Sequence, residues 1–175
     1  MNRFNFPQSA TELLRLLGVA VLYGLTALLV NHYFSINGRA SVFYLASGVA
    51  LAAVLIGGPR YFWALFLGAL INCLVGGVEW WGAVGVALGS ALAALAGAWL
   101  IHRNGKFKAD LSSLRNVWAV VNWGGAVACT ISATIGSITL LLRGVVGADD
   151  FAQNLVYWWM GDVFGVVLVL SLIHI

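Results

Sequence analysis

Hydrophobic residues run in long blocks along the chain, and polar residues gather in the short gaps between them. The first block, about Leu13 to Phe34, is long enough as a helix to cross about 30 Å of hydrocarbon. A second, about Ser41 to Ile56, ends at Gly57-Gly58-Pro59-Arg60. Glycine permits a tight turn there, and proline suits the opening turn of the next helix. The pattern therefore predicts a third span, Tyr61 to Val75, packed tightly and antiparallel against the second. Further apolar blocks cover about Gly82 to Ile101, Val117 to Leu142 and Ala152 to Ile175. The expected fold is all-α, a polytopic transmembrane bundle of six spans.

Within these blocks the small residues have a spacing of their own. Gly85, Gly89, Ala93 and Gly97 recur every fourth position of the fourth span and make a ridge that another helix can approach to backbone contact. Gly125, Cys129, Ala133 and Ser137 form a second such face, and Gly68, Asn72 and Gly76 a thin, slightly polar one. Asn31, His32 and Tyr33 close the first span, while Tyr61, Phe62 and Trp63, and then Glu79, Trp80 and Trp81, read as interfacial clusters. Tyr44 and Ser47 suit a headgroup boundary or the mouth of a cavity.

Composition sharpens the assignment of solvent. Hydrophobic residues make up 62% of the chain and charged residues 9%, against about a quarter charged in a soluble domain. The solvent is lipid. The net charge of +3 is spread through the gaps, so no dense basic face points to nucleic acid. Cys73 and Cys129 lie inside apolar blocks and read as small core residues. No cleavable leader is expected, because the first apolar block is too long and lacks a small-residue cleavage site.

Basic residues orient the bundle. With residues 1–12 in the cytoplasm, Arg3, Arg15, Arg60, Arg103, Lys106, Lys108 and Arg115 fall on the inner side. The outer side keeps Arg39 and Arg143, beside Glu79, Asp149 and Asp150, as the positive-inside rule favours. Six spans return the C-terminus to the cytoplasm. The last residues, Ser171 to Ile175, stop in apolar sequence without a charged flank, so the chain is read as a fragment of a longer protein.

One polar group stands out. Asp162, in Trp158-Trp159-Met160-Gly161-Asp162-Val163-Phe164-Gly165, falls near the middle of the sixth span. A carboxylate at a helix centre costs about 2.5–3.5 kcal/mol on insertion, so it should face protein or trapped water, or stay protonated. Asn72, Asn122 and Tyr44 are its candidate partners. Intramembrane acids are functional hypotheses by default; the alternative is a buried carboxyl capping a broken turn at Gly161 or Gly165. Trp158 and Trp159 read either as interfacial belt or as pocket lining. There is no zinc-protease motif, phosphate loop, nucleophile elbow or in-span carboxylate pair, and the expectation is no catalysis, no cofactor and no metal.

Several stretches resemble the MASE1 family. They are Ser41-Val42-Phe43-Tyr44 through Gly48, Leu51-Ala52-Ala53, Gly58-Pro59-Arg60-Tyr61, Gly68-Ala69-Leu70, and Trp159-Met160-Gly161-Asp162 followed by Gly165. The likeness covers about Leu13 to Leu172. It departs at Tyr44-Leu45-Ala46, where Trp-Pro is common, at Ala64, where proline is common, and at Ser171-Leu172, where Pro-Leu is usual. The resemblance implies a transmembrane sensor over residues 13–175, truncated at its C-terminus. It also implies a cytoplasmic output domain in cis, of histidine kinase, diguanylate cyclase or phosphodiesterase type. Expected partners are the bilayer, that output domain or a partner membrane protein, and a second copy in a homodimer. A small proton- or cation-coupled transporter, and a scaffold recruiting a partner through the Gly85 ridge, remain the competing classes.

Overall fold

A computed structural model describes residues 9–36, 40–41, 43–103 and 114–174. Helix α1, Ala10–Tyr33, starts where the Ser9 hydroxyl accepts the Glu12 N–H at 3.2 Å. A two-residue antiparallel pair, Ser35–Ile36 with Ala40–Ser41, leads into α2, Leu45–Gly57. Gly58, at φ +85°, stops α2, and Pro59 opens a single 3₁₀ turn that runs into α3, Phe62–Val75. Gly77, at φ +77°, reverses the chain into α4, Trp80–Arg103. Then come α5, Leu114–Ala119, a π-helical stretch Val120–Val127, and α6, Cys129–Leu142. The chain closes with α7, Phe151–His174.

Four of these helical stretches are long and apolar enough to cross a membrane: Ala10–Tyr33, Trp80–Arg103, Leu114–Leu142 and Phe151–Leu172. The two others expected as spans, Leu45–Gly57 and Pro59–Val75, are apolar but shorter. The expected pairing of the second and third spans does not form. The turn is as tight as its residues predict, but α2 goes on to pack against α7, α4 and α1, while α3 packs against α4 and α1. Short-range turn chemistry sets where a helix ends; the faces beyond the turn decide what it then touches.

Helix α4 is the hub, touching α3, α6, the π stretch and α2. It can serve several neighbours because its buried residues are small, among them Ala87, Gly89, Ala91, Ala94 and Gly97. Its glycine ridge is used within the chain: Gly85 faces Thr139, Gly89 faces Ile135 of α6, and Gly97 meets Leu51, Ala128 and Gly124. The ridge is therefore not free for a scaffold partner, and its Ala93 lines a cavity described below. The second face goes the same way, with Gly125, Cys129, Ala133 and Ser137 all buried.

Outward surfaces are lipophilic. Helix α1 buries the stripe Tyr23, Ala27 and Val30 and exposes Leu14, Leu17, Val21, Leu25 and Leu29. Such a face is stable against acyl chains and costly in water. Arg60 donates to Glu12 at 2.9 Å, and the Arg143 side chain packs over Gly82 at the start of α4. Arg3, Arg39, Lys106 and Lys108 lie outside the described residues.

Candidate functional site

Asp162 lies eleven residues into the 24-residue α7, and α7 continues unbroken on both sides of it. A carboxyl capping a broken turn at Gly161 or Gly165 is thereby overturned. The two glycines do something else. The Tyr44 N–H, at the entry to α2, donates to the Gly161 carbonyl at 2.9 Å. The Ser47 hydroxyl donates to the Asp162 backbone carbonyl at 2.8 Å and to the Tyr44 carbonyl at 2.7 Å. Backbones come this close only because Gly165 lacks a Cβ, which would collide with the Tyr44 carbonyl. Gly48, facing Gly165 and Val169, completes the crossing. So α2 begins clasped to the middle of α7.

Above this clasp the Asp162 side chain is 2% exposed. It borders a cavity of about 20 Å³ at the junction of α1, α2, α4, the π stretch, α6 and α7. Tyr23, Tyr44, Ser47, Ser90 and Ser132 supply its polar lining, and Leu51, Ala94 and Val166 its apolar walls. The Ser132 hydroxyl donates to the Asp162 carboxyl. Tyr23, fully buried, faces the same space with Tyr44 and Ser90 as polar neighbours. Its hydroxyl makes no hydrogen bond of acceptable geometry among the described residues. Among the described residues, no lysine, arginine or histidine lines the cavity. Among the described residues no group of three His, Cys, Asp or Glu could hold a metal.

Of the residues singled out from sequence, the structure thus brings Asp162, Gly161, Gly165 and Tyr44 together. Asn72 is buried on α3 but does not line the cavity, and its Oδ1 lacks a partner among the described residues. Asn122 is exposed and donates to the Trp118 carbonyl at 2.9 Å, one turn back on its own helix. Neither partners Asp162. The half-buried tryptophan pair does not line this cavity. The Trp159 indole donates to the Ala126 carbonyl in the π stretch at 2.8 Å, and the Trp158 ring lies over Gly136 of α6. Both act as wedges between α7 and the preceding span. The π winding shifts carbonyls out of α register, Ala128 N–H donating to Trp123 rather than Gly124.

Three contributors were missed: Tyr23, Ser90 and Ser132. Ser90 is the lone hydroxyl of α4, a mid-span position that marks it, whereas Tyr23 has Thr26 nearby on α1 and Ser132 is one of five hydroxyl residues on α6, so nothing in the sequence sets those two apart. Sequence also gave no hint of the buried bond from Asn154 to the Ser137 hydroxyl, 2.9 Å, tying α7 to α6 near the other end.

Apolar spanning helices on a small-residue hub, with one acid sheltered at mid-bundle, define a polytopic membrane domain. The chain belongs to the MASE1 family, whose sequence model matches residues 13–175. MASE1 is a family of membrane sensory domains. Comparison with curated proteins and with solved structures finds no match.

Proposed function

We propose that this chain is the sensory input domain of a bacterial signal-transduction protein, with the junction around Asp162 as its signal-sensitive centre. Family membership supports the sensory role. The observation that carries the location is that α7 holds the buried acid and is clasped, at the same level, to the start of α2. A change in the state of the cavity alters the packing of α7 against α2 and α6, and α7 carries that change along the membrane normal. In this reading α2 and the 3₁₀–α3 unit complete six crossings of the inner membrane, tilted or locally thinning it. The N-terminus and the Arg60 turn are cytoplasmic, as the clustering of basic residues favours. The domain itself does no chemistry. It acts on a histidine kinase, diguanylate cyclase or phosphodiesterase module in cis, or on a partner membrane protein, alone or as a homodimer.

The test is Asp162→Asn in a full-length protein carrying its output module. Insertion should be unchanged while output activity loses its response to the signal. An unaltered response in a correctly inserted variant removes the role assigned to Asp162. Solute uptake by the wild-type domain in proteoliposomes, driven by a proton or Na⁺ gradient, would favour a transporter instead.

A further inference from the structure

The cavity at Asp162 is too small for an organic signal. At about 20 Å³ it admits one water-sized species, since a single water needs about 10–15 Å³ by the same measure. Its walls are largely apolar, with a small cluster of oxygen-bearing side chains set among them. One carboxyl and the hydroxyls of Tyr23, Tyr44, Ser90 and Ser132 line the space, with no basic side chain among the described residues there. The Tyr23 hydroxyl is buried and faces the space beside Tyr44 and Ser90, yet makes no hydrogen bond of acceptable geometry among the described residues. An orphaned buried hydroxyl costs about 1–3 kcal/mol unless something else satisfies it. Oxygen donors around a single negative charge suit a hard monovalent cation; a divalent ion would call for more carboxylates.

We propose that the cavity is a binding site for one monovalent cation, Na⁺ or a hydrated proton, held by the Asp162 carboxyl and the Tyr23 hydroxyl. Ser132 orients the carboxyl from α6, Ser90 adds an oxygen from α4, and Tyr44 links the site to the α2–α7 clasp. Occupancy therefore bears on five helices at once. Besides Asp162, the titratable groups facing Tyr23 and the cavity are Tyr44, Cys129 of α6 and Cys73 of α3. The described lining from α4 and the π stretch carries none. This inference rests on the sensory reading only for its consequence; binding itself can be tested alone.

The experiment follows thermal unfolding of the chain in nanodiscs, replacing choline chloride by NaCl at constant ionic strength, at several pH values. Na⁺ as occupant predicts a midpoint rise of roughly 3–6 °C when the ion is about tenfold above its Kd. The rise should be lost in Tyr23→Phe and in Asp162→Asn. A hydrated proton as occupant predicts no Na⁺ effect and a pH-dependent midpoint whose dependence both variants flatten. Tyr23→Phe keeps the test informative if Asp162→Asn fails to fold. A midpoint indifferent to Na⁺, with a pH dependence that neither variant alters, overturns the proposal. Output assays separate the two readings: loss of signal response in Asp162→Asn without any cation effect sinks the cation site and leaves the sensory role. Cation binding with normal response in that variant does the reverse.

Discussion

Replacing Gly165 by alanine adds one methyl group where α7 and the start of α2 meet backbone to backbone. That Cβ would stand 2.5 Å from the Tyr44 carbonyl carbon and 2.6 Å from the Ser47 hydroxyl, against about 3.4–4 Å in ordinary contact. Tyr44 contributes backbone here, so no rotamer change relieves the clash; the start of α2 must withdraw by about 1 Å. Bonds of 2.9 Å (Tyr44 to Gly161) and 2.8 Å (Ser47 to Asp162) would then stretch beyond hydrogen-bonding range. Interhelical hydrogen bonds in membrane bundles average about 0.6 kcal/mol, and overpacking costs about 1–3 kcal/mol, together about 2–4 kcal/mol. Alanine's better helix propensity offsets about 1 kcal/mol of this. The internal control is Gly24→Ala on α1, where an added Cβ meets nothing within 4 Å. It gains the same propensity without the clash. Thermal unfolding in detergent, followed by tryptophan fluorescence, should therefore separate the two variants by roughly 4–16 °C. Equal midpoints for Gly165→Ala and Gly24→Ala would refute the clasp as described.

Other outcomes follow from the same contacts. Ser137→Ala removes the partner of the buried Asn154 amide and should cost about 1–3 kcal/mol, measured by the same unfolding assay. Adding Asn154→Leu should recover part of that loss, because no buried polar group then remains unpaired; no recovery would argue against the pairing. Trp159→Phe keeps most of the wedge but abandons the Ala126 carbonyl, for about 0.5–1.5 kcal/mol and faster hydrogen exchange in the π stretch. Glu12→Gln breaks a pair whose side chains are 39% and 35% exposed, so stability should fall by under about 1 kcal/mol, and less at high salt.

The chain's own residues were enough to establish what concerns single helices. Uninterrupted apolar blocks demand lipid on one side and protein on the other, and Gly58-Pro59 ends one helix and begins the next whatever lies around them. Asp162 announces itself because an acid at mid-span is costly anywhere except in shelter. Its neighbours were not legible. Four-residue periodicity defines the faces of a helix but not the angle at which each is turned in the bundle. Hence Asn72 and Asn122, polar enough to partner an acid, face elsewhere, while Tyr23, Ser90 and Ser132 converge on it from helices distant in sequence. The parting of α2 from α3, the π winding and the tryptophan wedges were settled the same way. They depend on which small-residue ridge finds which groove, a competition among all the helices that no single segment contains.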